Sequence, residues 1–396
     1  GEAAVCPRRC RRGPWARMAP QFGAAVAAAQ PAAPEVVVLD IDRLRAADAA
    51  DIEIDALLDR AFDRQGLGLL CVVGGEAFQA EVRRIREELL PLAPALERLP
   101  EEEREEISER PGTRNVNGFS RGLDGHRSGF YFHPATDTPG DELPEGIEAE
   151  ATFYSPNRWP DRSLPELRAN ARRAAPFLVG VGAELASALD RRLARLPEVG
   201  DGYQQGHLPR LVGEAASCNH KCRLICYHDY ESQEQRASYK GMWAPPHKDT
   251  GLFTVLVPGI FLTPEGARLP SCPDPEVGLY VRDRQGAIAQ IRVPCGAGEC
   301  LLFQLGESMQ IVSGGAYHAT EHCVRGPPAA SRGYSRATLA VFFQPHGHED
   351  LALPDGISFE HVAQRAHDGM FKMFLLHQPK EARSINFLEF CKREGF

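Results

Sequence analysis

Hydrophobic and polar positions along the 396-residue chain fall into two regimes. Helical spacing governs much of the first half. Phe78, Val82, Ile85, Leu89 and Leu90 recur at helical steps within Ala77 to about Leu96, and Leu178, Val181, Leu185, Leu189, Leu193 and Leu196 form one stripe along Leu164 to Leu196, so both stretches are predicted helices. A shorter helical pattern covers Ile52 to Phe62. The runs Glu35-Val-Val-Val-Leu-Asp and Gly66-Leu-Gly-Leu-Leu-Cys-Val-Val read as strands. Residues 99 to 110, crowded with Glu and Arg, read as a solvated helix face or loop. The stretch from 111 to 165, rich in Gly, Pro, Asn and Asp, reads as mostly loop with short strands.

From Arg210 to Pro345 the period changes. Short β-type runs alternate with Gly/Pro turns at Leu224 to Tyr227, Leu252 to Val257, Gly278 to Val281, Ile288 to Val293, Glu299 to Gln304 and Ser335 to Phe343. Many short strands with turn punctuation imply a sandwich, jelly roll or barrel. Helical spacing returns around His361 to Leu376, and there is no internal repeat. The expected organisation is a leader over 1–34, an N-terminal α/β region over 35–205 packing on the barrel, a jelly-roll core over 206–346, and a helical extension over 347–396.

Composition narrows the function classes. At 43% hydrophobic and 25% charged, with a formal net charge of -9 and both signs mixed along the chain, the sequence lacks the basic face of a nucleic-acid binder. No apolar run approaches the roughly 20 residues that cross a bilayer, so neither nucleic acid nor membrane is an expected partner. Eleven cysteines, an odd number spread widely, point to a reducing compartment, with the cytoplasm and a monomeric state as defaults. Cys218, Cys222 and Cys226 form a local cluster whose spacing fits no common metal signature, and buried or half-buried free thiols are expected there. The leader is basic and acid-poor, with Arg8, Arg9, Arg11, Arg12 and Arg17, but lacks serine enrichment. An organelle transit peptide, a disordered tail and a gene-model artefact are its competing readings.

Candidate chemistry centres on Pro246-His247-Lys248-Asp249-Thr250-Gly251 at the start of a predicted strand. Strand side chains alternate faces, so an i, i+2 pair points the same way with α-carbons roughly 7 Å apart. One imidazole and one carboxylate can then meet a single ion. His322, in Thr320-Glu-His-Cys-Val, is the best-placed third ligand, and two histidines with one carboxylate leave adjacent positions open, a set that suits ferrous iron. Arg336-Ala-Thr338 repeats the period-two logic on a later strand. Its guanidinium can grip a ligand carboxylate through paired hydrogen bonds, or form a strand-end salt bridge within the protein.

Taken in order, these motifs resemble the isopenicillin N synthase-like branch of the 2-oxoglutarate/Fe(II) dioxygenases, which includes many plant hormone, flavonoid and alkaloid oxygenases. The resemblance covers roughly residues 36 to 346. It rests on Val36-Val-Val-Leu-Asp, Gly66-Leu-Gly-Leu-Leu, Asn157-Arg-Trp159-Pro160 ahead of the long helix, His247-Lys-Asp249-Thr-Gly251-Leu-Phe-Thr, the segment from Phe303 to His322, and Arg336-Ala-Thr338 in place of Arg-x-Ser. It implies a double-stranded β-helix (jelly-roll) barrel, mainly β with flanking helices. It also selects His322 over His318 as the distal ligand, leaving His318 as a nearby polar or exposed residue.

The same resemblance implies a catalytic metal triad of His247, Asp249 and His322 for Fe(II), and Arg336 and Thr338 for the far carboxylate of 2-oxoglutarate. Dioxygen would be the further cosubstrate, with ascorbate helpful in vitro. Tyr227 either points at the cosubstrate or packs in the core. The implied reaction oxidises, most commonly hydroxylates, a small organic molecule with release of succinate and carbon dioxide. Two alternatives stay open: an Fe(II) oxidase of the same fold that uses no 2-oxoglutarate, and a non-catalytic small-molecule-binding jelly roll.

Three departures from the family pattern stand out. Tyr227-His228-Asp229 replaces a Tyr-Pro pair, Thr338 replaces serine, and Lys248 between the ligands should face away from the metal. Substrate contacts are expected from loops over roughly 114–134 and 230–246, carrying Arg114, Asn117, His126, Arg127, Phe130, Tyr131 and Phe132.

Overall fold

The computed structural model describes residues 35–393 apart from 48–50, 111–116, 122–125, 144, 146–150, 214–218, 284–285, 294–298 and 367–368. The leader, Arg114 and Cys218 therefore lie outside the described residues. In chain order the strands are β1 (Val37–Asp40), β2 (Leu69–Val73), β3 (Gly118–Arg121), β4 (Arg127–Phe132), β5 (Lys221–Tyr227), β6 (Met242–His247), β7 (Phe253–Leu262), β8 (Gly278–Arg282), β9 (Ile288–Gln290), β10 (Leu301–Leu305), β11 (His322–Arg325), β12 (Ser335–Phe343), β13 (Asp350–Ala352) and β14 (Ser384–Asn386).

They build an eight-stranded sheet ordered β1-β2-β10-β7-β12-β5-β4-β3, a four-stranded sheet ordered β6-β11-β8-β9, and a β13-β14 pair. Apolar residues of the two main sheets pack together at two places. Ile225, Tyr227 and Ala340 meet Trp243, Ala244 and Val324, while Leu69, Cys71 and Leu302 meet Val281 and Ile291. Two facing sheets with crossing connections and outer helices form the expected jelly-roll architecture.

Local chemistry explains most element boundaries. Asp51 caps the helix Ile52–Phe62 by accepting from the backbone N–H groups of Glu53 and Ile54. Pro165 opens the helix Pro165–Leu193, where its missing N–H costs nothing. Leu167, Leu178, Val181, Leu185 and Leu189 bury that helix against the outer face of the large sheet. One expectation is corrected: the Ala77 to Leu96 pattern is not a continuous α-helix. It runs as α-helix over Glu76–Arg84, widens to a π-turn over Ile85–Leu89 and tightens to 3-10 over Leu90–Arg98, because Pro91 and Pro94 supply no N–H to an α-helical ladder.

The 111–165 stretch holds short strands, as expected. β3 and β4 extend the large sheet beyond β5, with Gly129 opposite Ile225 and Tyr131 opposite Arg223. Beyond β12, the helices Phe359–Arg365, Gly369–Leu376 and Phe387–Lys392 and the β13-β14 pair belong to the extension. No helix among the described residues is long and apolar enough to cross a membrane.

Candidate metal centre and anion pocket

His247 and His322 are directly opposite each other in the antiparallel pairing of β6 with β11, their ring centroids 4.2 Å apart. Asp249 joins them from a different position than its spacing suggests. His247 is the last residue of β6, not an early one, and Asp249 lies in the turn toward β7, so the pair converges through a strand end and a turn instead of two same-face strand positions. That turn is pinned at both ends. The Asp249 carbonyl accepts from the Glu307 N–H at 2.8 Å, and its carboxylate Oδ2 accepts from Thr254 Oγ1 at 2.6 Å.

The donor atoms left over face one point. Asp249 Oδ1 stands 3.9 Å from Nε2 of His247 and 3.9 Å from Nε2 of His322, and one ligand atom from each residue lies within 4.8 Å of the others. On the far sides of the rings, His247 Nδ1 contacts the Pro245 carbonyl at 2.8 Å and His322 Nδ1 contacts the Thr320 carbonyl at 3.1 Å. A carbonyl only accepts, so each Nδ1 carries the proton and each Nε2 keeps its lone pair for an ion. Gln304 also touches His322 Nδ1. Its carbonyl oxygen has no hydrogen-bond partner, and exchanging the two ends of the amide would let that oxygen accept from Nδ1–H.

Desolvation, and after it the neighbouring His322, holds the His247 imidazole below its ordinary pKa and favours the neutral form that ligates; the 37% exposure of its side chain moderates the first effect. Two neutral imidazoles and one carboxylate fit ferrous iron. Among the described residues this is the single grouping of three or more potential metal ligands. Cys222 and Cys226 are buried free thiols, in accord with the sequence expectation.

The triad opens into a cavity of about 230 Å³ between the sheets. Arg336, Thr338, Tyr227 and Arg127 line it, as do Arg223, Phe342 and several aliphatic side chains; Lys248 does not. Arg336 and Tyr227 are a cross-strand pair, with the guanidinium over the phenol ring at 5.5 Å from its centroid, and the same ring stacks on Trp243. Tyr227 is thus packed and pocket-facing at once. Space for Arg336 comes from β7, where one extra residue breaks the register opposite Ala337 to Leu339. Pro258 and Gly259 occupy the bulge, and a Cβ on Gly259 would stand 2.7 Å from Arg336 Nε. Desolvation lowers the Arg336 pKa, and no carboxylate among the described residues pairs with it. The salt-bridge reading of this arginine is therefore not realised. Thr338 points the same way, but its hydroxyl donates to the Val257 carbonyl at 2.7 Å.

Other expectations need correction. His318 is buried, not exposed. Phe130 and Phe132 belong to β4 and pack on Trp159, away from the cavity. Asn117 is buried, bonded to Ser155 and Asn157, and His126 is buried with Nε2 at 3.3 Å from the Trp243 carbonyl. Glycines and prolines around Phe130 and Phe132 predict a loop, and tertiary pairing overrides that signal, whereas Asn117 and His126 do lie in bends outside the strands but are buried. Conversely, Thr254, Gln304 and Arg223 escaped notice. Each is a polar residue inside an otherwise apolar strand run, which is the available signal.

No protein-family model matches the sequence, and no curated protein matches it. Solved structures do. A full-length Neurospora crassa protein in complex with α-ketoglutarate (2-oxoglutarate) and 5-formyluracil superposes with a TM-score of 0.59 at 16% identity, over 93% of this chain and 97% of that one. A protein of Caulobacter crescentus described as 2OG-Fe(II) oxygenase family gives 0.60 at 19%, over 91% and 97%. The rice dioxygenase for auxin oxidation gives 0.53 at 18%, over 90% and 94%. With the backbone matched over nine-tenths of its length, this chain has the fold of the 2-oxoglutarate/Fe(II) oxygenases.

Proposed function

We propose that the protein is an Fe(II)- and 2-oxoglutarate-dependent dioxygenase that oxidises, most often by hydroxylation, a small organic molecule. The observation that carries this reading is the shared cavity: three convergent metal-ligand atoms at one place and, on its wall, a guanidinium with no acid partner among the described residues. Iron bound there, with dioxygen, supplies a two-electron oxidation of substrate coupled to decarboxylation of 2-oxoglutarate to succinate. His247, Asp249 and His322 would hold the ion, each oriented by the contact on its far side.

Arg336 would receive the far carboxylate of the cosubstrate through paired charge-assisted hydrogen bonds, its plane set by Tyr227 and by the absent side chain at Gly259. Thr338 would join only by turning its hydroxyl from Val257. Ile225, Leu256, Leu302 and Phe342 line the cavity with apolar surface, which limits water at the centre.

Succinate release from 2-oxoglutarate with ferrous iron and ascorbate, measured against a metabolite panel, tests the reading. Substrate-dependent succinate is expected. Its absence with every candidate, together with substrate loss that needs iron and dioxygen alone, would assign the chain to the oxidases that omit the cosubstrate. A protein that binds ligands without turnover would release neither. His247→Ala should lower bound iron at least tenfold, read by metal analysis after gel filtration, and unaltered iron content would overturn the site.

A further inference from the structure

Arg336 has a counterpart four residues along the same face. On β5, Arg223, Ile225 and Tyr227 alternate toward the cavity, and the pairing with β12 sets Tyr227 opposite Arg336 and Arg223 opposite Ala340. Arg223 therefore lies about 14 Å further along the sheet, at roughly 3.4 Å per residue. This is toward the end where Thr254, opposite Phe342, holds Asp249.

Its setting repeats that of Arg336. The guanidinium lies over a tyrosine ring, Tyr131, at 4.8 Å from the centroid, and against a glycine, Gly129, whose Cβ would stand 2.8 Å from Arg223 Nε. That Nε is buried with no hydrogen-bond partner, and among the described residues no carboxylate pairs with Arg223. Among the described residues the cavity lining sets Arg223 and Arg336, neither with a carboxylate partner, against the single carboxylate of Asp249. A divalent ion adds two positive charges and 2-oxoglutarate brings two negative ones, so the loaded site keeps an excess of positive charge beside an apolar wall. A guanidinium drawn from water repays its desolvation only when an anion meets it.

We propose that Arg223 is a second anion seat, and that the molecule oxidised at the metal centre is a small organic acid with an apolar body whose carboxylate this arginine holds. The inference rests on the reading of Arg336 as the cosubstrate seat. Gly129 and Tyr131 act as positioning residues, keeping the fork of Arg223 flat and directed into the cavity.

The test uses the full chain loaded with Mn(II) in place of oxidisable iron. Calorimetric titrations with acetate, benzoate, 3-phenylpropanoate and octanoate are compared with those of the matching primary amides, each with and without saturating 2-oxoglutarate. At least one acid is expected to bind about tenfold more tightly than its amide, the scale of a lost charge-assisted contact. Arg223→Gln should bring that ratio close to one, and Arg223→Lys should keep part of it. Gly129→Ala leaves every charge in place but displaces the guanidinium, and should lower the ratio about threefold or more. If Arg223→Gln does not fold, as read by circular dichroism, the lysine and Gly129→Ala variants decide.

Equal binding of acids and amides by the unaltered protein, or a preference that survives these substitutions, overturns the inference. Failure of the dioxygenase reading looks different: 2-oxoglutarate would not bind, while an acid preference that still depends on Arg223 would sustain the seat.

Discussion

Arg336 has a tyrosine ring beneath it and, among the described residues, no acid beside it, so its paired hydrogen bonds are available to an incoming carboxylate. Arg336→Gln should raise the apparent KM for 2-oxoglutarate by tenfold or more, since a hydrogen bond to a charged group contributes about 1.5–3 kcal/mol. Arg336→Lys should recover part of the loss, because the charge stays but the planar fork does not. Succinate formation at varied 2-oxoglutarate measures both, and an unchanged KM would remove Arg336 from the cosubstrate seat. At this scale residue types were legible and their partners were not. The sequence singles out His247, Asp249, His322 and Arg336, whereas the roles of Gln304 behind His322 and Thr254 behind Asp249 depend on strand neighbours far away in the chain.

Elements are joined by two polar clusters. Where β5 ends, His228 fills a place taken by proline in the resembling family, and it lies 2.9 Å from Ser128 of β4 and 3.3 Å from Glu97 on the segment Leu90–Arg98. Burial disfavours the charged imidazole, yet the contacts with Cys226 and Glu97 outweigh it and raise the pKa to about 10. A raised folded-state pKa contributes stability that is complete below the unfolded value near 6.5 and is lost as pH rises through about 10. Urea unfolding should therefore show a decline of about 1.5–3 kcal/mol across that window, reduced by Glu97→Gln; the same decline in that variant would exclude the pair as its source.

Asp137 is the second junction. It accepts from Trp159 Nε1 at 2.7 Å, Asn157 at 2.9 Å and Arg168 at 2.6 Å, and also from Arg172, tying the segment after β4 to the helix Pro165–Leu193. Burial acts against its charge, but these donors prevail and lower its pKa to about 2. Its contribution is present above the ordinary carboxylate range and is lost as pH falls through about 2. Asp137→Ala should cost about 2–3 kcal/mol at neutral pH by the same denaturation assay. The Asn157-Arg-Trp159-Pro160 motif was visible in the sequence, while the acid that gathers it was not, since Asp137 lies 20 residues before Asn157 in a Gly/Pro-rich stretch.

Across the whole molecule, the C-terminal extension reaches back to the metal loop. Arg393 pairs with Glu307 and lies over Phe390 at 4.1 Å, and the Glu307 backbone N–H is the donor that fixes the Asp249 carbonyl. Removing one member of a buried pair leaves the other charge unpaired, so Arg393→Ala should cost about 3–5 kcal/mol and lower Tm. It should also weaken iron retention, an effect that a change confined to the extension would not produce.

The sequence by itself carried the change from helical to strand period, the group of β architectures to which a jelly roll belongs and the His247–Asp249 pair, because these depend on residue type and near-neighbour spacing, while the order of motifs, through the family resemblance, added His322 and Arg336. Only the tertiary structure decided that Asp249 sits in a turn after β6, that Phe130 and Phe132 face the core, and that Arg223 joins Arg336 with no acid among the described residues to neutralise either. Those outcomes follow from strand register and the β7 bulge, which bring together residues 73 to 121 positions apart, a pairing that hydrophobic pattern along one segment does not encode.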